Sequence, residues 1–385
     1  MLYADSAATT PVRREVLEAM WPYLTGEFGN PSSTHELGHR AADALKAARA
    51  DVARAFGARP GEVVFTAGGT EADNLAVKGL ALAACDPSRG ARARGRHLVT
   101  TAIEHEAVLE SADYLRRLHG FEVTFADVGP DGVVTPDAVR TALRPDTALV
   151  SIHHANNEVG TVQDVRTLAA VAREAGALFH TDAVQAAGWL DVSLRGSGAD
   201  AVSLSGHKLG TPKGIGALLV RAGAPLEPLI HGGGQERGRR SGTENVAFAV
   251  GLAAAARGLP ALRARADDVA AARDDLIDGV LARVPGALLT GAADGNRLPG
   301  HASFCFPGTS GEAVLLELER AGVITSSGSA CAAGHDDPSH VLLALGVEPA
   351  VAQTSVRFTL DAPFDAAALV DAVVAATTTV SRLGA

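Results

Sequence analysis

The stretch from residue 203 to residue 214, SLSGHKLGTPKG, contains groups that can do chemistry: Lys208 comes directly after the triplet Ser205-Gly206-His207. A lysine amine can form a Schiff base with a carbonyl compound, and it does so near neutral pH when its surroundings lower its pKa. A lysine taken alone is more often a solvated surface cation. The neighbouring sequence must therefore decide between these two interpretations.

Polar residues also follow other apolar runs of strand length. His105 comes after HLVTTAIE, and Asn156 and Asn157 come after ALVSIHHA. Asp182 and Gln185 end the run ALFHTDAVQ. Each residue alone indicates little, because polar residues at strand ends are common and mostly solvated. Together they place reactive and hydrogen-bonding side chains at one edge of one sheet.

The run VVFTA ends in Gly68, Gly69 and Thr70, and the helical stretch EADNLAVKG starts at once. Two glycines permit a close approach of the backbone, and the start of a helix favours an anion. Thr70 can equally serve as an ordinary helix N-cap. This turn on its own is therefore a weak indication of a phosphate site.

The combination of these strand ends describes a pyridoxal 5'-phosphate site with Lys208 as the covalent attachment point. Threonine, serine and histidine side chains near a helix start can hold a phosphate. Asp182, at the end of a buried strand, can keep a pyridine nitrogen protonated, which makes the ring an electron sink. Because Asp182 ends the strand before the lysine segment, we interpret Lys208 as a functional residue.

These residues must be positioned by alternating strands and helices. Seven short apolar runs, beginning with EVVFTA and ending with GALLV, are bounded by Gly, Pro or Asp and separated by Ala-rich helical stretches. The alternation predicts an α/β fold with a mostly parallel seven-stranded sheet covered by helices on both faces. Ligands of such folds bind at the carboxyl ends of the strands.

The chain divides into two predicted domains. Residues 13–261 form the large cofactor-binding domain, and residues 1–12 with 262–385 form a smaller α/β domain. Between the two, the sequence predicts a long helical stretch over residues 244–283.

Composition excludes several other classes of protein. The 385 residues carry a formal net charge of -10, which argues against direct nucleic-acid binding through a broad basic surface. No apolar run reaches the roughly 20 residues that a membrane span needs. The cysteines Cys85, Cys305 and Cys331 are too few and too scattered for a disulfide framework or a metal site. We expect a cytoplasmic protein with reduced thiols.

The chain resembles the cysteine desulfurases, fold-type I pyridoxal-phosphate enzymes of the class V aminotransferase group, over nearly its whole length. The matching motifs occur in the family's order and spacing: DSAATTP, GNPSSTHELG, TAGGTEADNLAV, EHEAVL, NNEVGTVQ, HTDAVQAAG, SGHKLGTPKGIGAL, HGGGQERGRRSGTEN, SSGSAC and SVRFTL.

The resemblance implies a role for each matching residue. Lys208 bonds to the cofactor, Asp182 pairs with the pyridine nitrogen, Gln185 pairs with the ring hydroxyl, and His105 stacks on the ring and moves protons. Asn157 and Arg357 take the substrate carboxylate. The remaining cofactor-binding residues, most of them at the phosphate, are Gly69, Thr70, Glu71, Ser205, His207 and Thr243. In this family the threonine reaches over from the other subunit, so the resemblance implies a homodimer.

Cys331 lies in the Gly/Ser-rich stretch TSSGSACAAGHDDPSH, which is poor in large apolar residues. By resemblance its thiolate takes sulfur from L-cysteine as a persulfide and leaves L-alanine. The long spacer between SSGSAC and SVRFTL resembles the subgroup with a long cysteine loop. The implied acceptors are an iron–sulfur scaffold protein or a transfer-RNA thiolation enzyme.

Alternatives to this interpretation remain at the level of sequence. A selenocysteine lyase would use the same cofactor site, and another class V aminotransferase would need no loop cysteine. A third alternative is an inactive protein that binds an adaptor, against which the intact set of site residues argues. Asp361 and Ala362 stand where the family usually has Gly-Arg, which leaves the identity of the acceptor open.

Overall fold

A computed structural model describes residues 1–86, 88, 94–293, 295–328 and 337–383. The strands are β1 (Leu2–Tyr3), β2 (Val63–Thr66), β3 (His97–Thr101), β4 (Glu122–Ala126), β5 (Thr147–Ser151), β6 (Leu178–Asp182), β7 (Ala201–Ser205), β8 (Gly216–Val220), β9 (Leu288–Leu289), β10 (His301–Cys305), β11 (Val323–Ile324) and β12 (Ser355–Thr359). The helices are α1 (Arg14–Thr25), α2 (Glu36–Ala55), α3 (Gly69–Ala84), α4 (Glu106–His119), α5 (Pro136–Ala142), α6 (Val165–Glu174), α7 (Leu194–Ser197), α8 (Val246–Arg257), α9 (Leu259–Arg263), α10 (Ala266–Arg283), α11 (Gly311–Arg320), α12 (His340–Ala344), α13 (Pro349–Ala352) and α14 (Ala366–Leu383).

The central sheet has seven strands in the order β2-β8-β7-β6-β5-β3-β4. The neighbours from β7 to β4 are all parallel, whereas β8 runs antiparallel to both β7 and β2. The predicted mostly parallel seven-stranded sheet is therefore confirmed. Because β8 is antiparallel to β7 and to β2, the carboxyl end of β2 lies at the same edge as that of β7.

Helices cover both faces of this sheet, because alternate strand residues point to opposite sides. In β2, Val63 and Phe65 belong to one hydrophobic cluster, which includes residues of α2, α6 and α8. Val64 between them belongs to another cluster, which is formed with α3 and α4. The sheet is thus buried on both sides, as the continuous apolar runs of its strands predict.

The C-terminal part has its own antiparallel sheet, in the order β12-β10-β9. Its hydrophobic cluster contains Phe304 and Phe358 together with residues of α10, α11 and α14. The N-terminal strand β1 pairs with β11, and Ala4 packs in the same cluster. This separate core supports the prediction of a second domain, while the exact domain limits remain a prediction.

The predicted helical stretch over residues 244–283 is interrupted, and this prediction needs correction. It consists of the three helices α8, α9 and α10. The helix α8 ends before Pro260, because this proline lacks the N–H that would continue α8 by donating to the carbonyl of Ala256. Among the described residues, no single helix has both the length and the apolar character of a membrane span. The bent pair Val246–Arg257 and Leu259–Arg283 meets those criteria only when its halves are combined.

Candidate active site

A cavity of about 380 Å³ opens at the carboxyl edge of the seven-stranded sheet. The segments after β2, β3, β5, β6 and β7 meet here, as the parallel arrangement requires. The cavity brings together most of the residues that the sequence predicts: Gly69, Thr70, His105, Asn157, Asp182, Gln185, Ser205, His207, Lys208 and Arg357. Ala7, Ala8, Asp73, His153, Ala155, Val184 and Gly328 complete the lining.

Lys208 lies in a short 3₁₀ turn, Gly206–Lys208, that directly follows β7. Its Nζ donates hydrogen bonds to the carbonyl of Ala8, at 2.7 Å, and to the carbonyl of Ala7. The carbonyl of Ala7 also accepts a hydrogen bond from Gln185 Nε2 at 3.1 Å. The segment that follows β1 therefore holds the lysine amine and the glutamine amide together at one wall of the cavity.

Asp182 and His105 have their orientations set by the backbone. Asp182 Oδ1 accepts a hydrogen bond from the N–H of Val184 at 2.8 Å. Burial raises the pKa of Asp182, while His105 and this N–H oppose the shift. His105 is the N-cap of α4, and its Nδ1 accepts from the N–H of Ala107 at 3.0 Å. The proton of a neutral His105 ring is therefore on Nε2.

The other end of the cavity is suited to an anion. The helix α3 begins at Gly69, and a Cβ atom there would lie 2.9 Å from Val184 Cγ2 and 3.1 Å from Ser205 Cβ. Only glycine lets the N–H groups of this helix start lie so close to the serine. Burial and the nearby charge of Lys208 lower the pKa of His207 to about 4, so that its ring is neutral at pH 7.

Arg357, on β12, reaches the cavity from the C-terminal sheet and is almost fully buried. Its Nη1 donates to the carbonyls of Asn157, at 2.9 Å, and Gly328, at 3.1 Å. Its Nη2 lies 2.7 Å from Asp5 Oδ1. The sequence analysis did not single out Asp5, although the motif DSAATTP contains it. A buried guanidinium held in this way can accept a substrate carboxylate.

Two of the predicted residues, Glu71 and Thr243, do not line this cavity. Glu71 accepts hydrogen bonds from Arg240 Nε and from the N–H of Ala67, both at 2.9 Å. Thr243 is exposed and borders a separate cavity of about 180 Å³. Cys331 lies outside the described residues.

Three buried residues that the sequence analysis did not single out also form the site. Asp73 lies one helical turn after Gly69 and lines the cavity, a position that the helix period could have indicated. His153 lines it from the segment after β5, and Glu104 lies directly behind His153. For Glu104 and His153, the sequence offered one indication: both are polar residues that closely follow a strand, β3 and β5 respectively.

These residues fit pyridoxal 5'-phosphate. Lys208 would supply an amine for the aldehyde, Asp182 a carboxylate for the ring nitrogen, and the start of α3 a set of donors for the phosphate. Two buried polar atoms that border the cavity, Asp73 Oδ1 and His153 Nε2, have no hydrogen-bond partner among the described residues. A polar ligand is therefore the kind of molecule that this cavity accommodates.

Comparisons with known proteins agree with this geometry. The profile of the aminotransferase class-V family matches residues 2–365. The cysteine desulfurase IscS of Dictyoglomus turgidum is 44% identical over 360 residues, which cover 93% of this chain and 89% of that protein. A cysteine desulfurase of Cereibacter sphaeroides is 49% identical over 360 residues, with 93% and 90% covered.

A solved structure, that of SspA in complex with cysteine, superposes with a TM-score of 0.80 at 37% identity. The match covers 95% of this chain and 100% of that chain. The chain therefore belongs to the class V aminotransferase family. Within that family, the two relatives compared above carry the name cysteine desulfurase.

Proposed function

We propose that this protein is an L-cysteine desulfurase, which converts L-cysteine into L-alanine and transfers the sulfur atom to Cys331. The observation that carries the proposal is the meeting of Lys208, Asp182 and Arg357 in one cavity. An amine, a buried carboxylate and a buried guanidinium are the groups that an amino-acid substrate and its cofactor require. The names of the relatives support the choice of cysteine as that amino acid.

Pyridoxal 5'-phosphate, when bound, supplies an electron sink for the electrons that are left at the substrate Cα. Lys208 Nζ takes the proton from that Cα. Arg357 binds the substrate carboxylate and thereby fixes the orientation of the substrate in the cavity. His105, whose proton is held on Nε2 by the N–H of Ala107, returns a proton to the product.

The sulfur step balances without an external oxidant. The Cβ–S bond of the substrate breaks, and a new S–S bond forms between its sulfur and the thiolate of Cys331. The carbon skeleton keeps both electrons of the broken bond and takes a proton, which yields alanine. A thiolate is the attacking species in such sulfur chemistry. This role of Cys331 rests on the family resemblance and on its Gly/Ser-rich sequence context.

We also propose that the site is completed by a second copy of the chain. Thr243 is exposed at the end of a segment that is anchored by a buried ion pair, in which both Arg49 Nη1 and Nη2 lie 2.6 Å from carboxylate oxygens of Glu236. Glu236 and Arg237 both have positive φ angles, so this segment has a defined, strained conformation. A firmly held and exposed threonine suits a contact with the phosphate of a partner's cofactor.

The dimer is tested by mixing two inactive variants, Lys208→Ala and Thr243→Ala. If Thr243 serves the partner's site, a mixed dimer has one doubly defective site and one intact site. About a quarter of all sites are then intact after random exchange of subunits. If Thr243 serves its own chain's site, mixing restores no activity.

The activity is tested by measuring alanine and sulfide release from L-cysteine in the presence of dithiothreitol. We expect equal amounts of both products, lost in Cys331→Ala and retained in the matched control Cys85→Ala. The Cys331→Ala variant should keep the absorbance of the bound cofactor. Activity on selenocysteine alone would instead identify a selenocysteine lyase, and a requirement for a keto acid would identify an aminotransferase.

We further propose a cytoplasmic location and delivery of the sulfur to an iron–sulfur scaffold protein or a transfer-RNA thiolation enzyme. Incubation of the sulfur-loaded protein with each purified acceptor, followed by mass spectrometry of the acceptor thiols, decides between the two. Transfer to neither acceptor would contradict both assignments.

A further inference from the structure

A buried polar cluster borders the cofactor cavity on the side of the sheet that faces α3. His180, in the middle of β6, has Nδ1 at 2.8 Å from Ser151 Oγ and Nε2 at 2.9 Å from Ser203 Oγ. Asp73 Oδ1, on α3, lies 3.7 Å from the same Nε2. Asp182 is two residues after His180 on the same strand, so that its side chain is on this face as well.

Two carboxyl groups of this cluster, those of Asp73 and Asp182, interact with each other. Burial and the charge of Asp182 raise the pKa of Asp73 well above its usual value. Burial also raises the pKa of Asp182, but His105 and the N–H of Val184 oppose that shift. Asp73 therefore favours its protonated form, while the partners of Asp182 favour its ionised form.

A buried pair of a histidine and a carboxyl group lies beside them. His153 Nδ1 lies 3.0 Å from Glu104 Oε1, and both side chains are almost fully buried. The backbone N–H of His153 donates to Glu104 Oε2 at 2.9 Å, and Thr101 Oγ1 donates to Oε1 at 2.6 Å. Replacing a buried ion pair with apolar residues often costs nothing in stability. This pair therefore calls for an explanation other than stability.

The position of His153 beside Asp182 gives such an explanation for the pair of His153 and Glu104. The N–H of His154 donates to the carbonyl of Asp182 at 2.7 Å, so the segment after β5 continues alongside the end of β6. His153 and Asp182 both line the cavity, and each shifts the pKa of the other in favour of the charged form. Burial lowers the pKa of His153, but Glu104 and Asp182 outweigh it and leave that pKa above its ordinary value.

We propose that His153, held by Glu104, is a positioning residue that keeps Asp182 ionised for its contact with the pyridine nitrogen of pyridoxal 5'-phosphate. The proposal rests on the cofactor assignment made above. The charges of these four groups then cancel, because Glu104 and Asp182 are balanced by His153 and the protonated ring nitrogen. Without the imidazolium the site carries an excess negative charge, and Asp182 takes up a proton to remove it.

The adjacent histidine provides a matched control. His154 is also buried but does not line the cavity, and burial together with the charge of His153 lowers its pKa to about 4. We therefore compare His153→Gln with His154→Gln in the apo-protein. Each variant is titrated with pyridoxal 5'-phosphate and with the carbocyclic analogue in which a CH group replaces the ring nitrogen. Circular dichroism verifies that both variants fold.

The expected result is a loss of cofactor affinity of roughly tenfold or more in His153→Gln, because a nearby opposite charge shifts an acid by about one to three pKa units. The analogue without the nitrogen should bind equally well to both variants. In addition, the ¹⁵N NMR signal of a labelled cofactor should move towards that of an unprotonated ring nitrogen in His153→Gln only. An equal loss for both ligands, or none, overturns the proposal.

A measurement on the unaltered protein keeps the proposal testable if His153→Gln does not fold. The imidazole ¹⁵N signals of His153 in the apo-protein should show a doubly protonated ring at pH 7. A neutral ring overturns the proposal whether or not the protein releases alanine from cysteine. Conversely, cofactor binding without alanine release would contradict the proposed function and leave the result for His153 standing.

Discussion

The Arg357 guanidinium is joined to the Asp5 carboxylate at 2.7 Å, which links β12 to the segment that follows β1 across 352 positions of sequence. The same guanidinium donates to the carbonyls of Asn157 and Gly328. One side chain therefore touches the segment after β1, the segment after β5 and the segment after β11. Its two terminal nitrogens, Nη1 and Nη2, together donate to three acceptors.

Arg357→Lys should raise the KM for L-cysteine by roughly tenfold or more, because an ammonium group cannot reproduce the paired donors of a guanidinium. Steady-state kinetics of alanine formation measure the effect. Arg283→Lys is the control, because the ion pair that Arg283 forms with Asp371 is exposed. An unchanged KM in Arg357→Lys would show that this residue does not bind the substrate carboxylate.

Gly69→Ala should weaken the binding of pyridoxal 5'-phosphate much more than that of pyridoxal, which lacks the phosphate. The added methyl group would meet Val184 Cγ2 at 2.9 Å and push the start of α3 away from Ser205. Fluorescence titration of the apo-protein with both ligands measures the difference. Gly26→Ala is the control, since among the described residues no atom from a more distant part of the chain lies within 4 Å of a Cβ at Gly26. Equal losses for both ligands would place the phosphate elsewhere.

Glu236→Gln should lower the free energy of unfolding by about 3 kcal/mol, because it leaves the Arg49 guanidinium buried without its counter-charge. Urea unfolding of the apo-protein measures this effect. Glu122→Gln, which breaks the exposed ion pair with Arg144, should leave the unfolding midpoint unchanged. Similar unfolding curves for the two variants would contradict the anchoring role of Glu236.

The apo-protein should lose stability as the pH falls from about 6.5 towards 4. Burial lowers the pKa of His154 and His207 to about 4, and that of His180 and His301 to about 3, from an ordinary value of 6.5. At these four histidines the unfolded chain binds more protons than the folded chain in this range, so that their contribution to stability decreases with falling pH. His153, Asp73 and Asp182 have the opposite sign, because their raised pKa values let the folded chain bind more protons there than the unfolded chain.

His154→Gln tests this dependence, since the change removes one histidine with a lowered pKa. The slope of unfolding free energy against pH should then decrease between pH 4 and 6.5. The exposed His231→Gln serves as the control. An undiminished slope in His154→Gln would mean that this histidine is not held neutral in the folded protein.

Prediction from sequence succeeds where the signal is periodic and local. Apolar runs bounded by turn residues predict the parallel sheet, and parallel strands bring the residues after them to one edge. The sequence therefore predicts Asp182, Lys208 and His105 as neighbours.

Glu71 is predicted at the cofactor, but successive residues of a helix point about 100° apart. Thr70 lines the cavity, whereas Glu71 turns to Arg240.

The class of fold, the edge of the sheet that carries the site and the types of side chain placed there all follow from local sequence patterns. Which of these side chains contact each other at one wall of the cavity depends on the packing of distant segments. Asp5 meets Arg357, and Glu104 meets His153, across gaps of chain that carry no periodic signal. Contacts of this kind depend on how helices and sheets pack, and on how each buried charge finds a partner. That packing is a property of the whole folded chain.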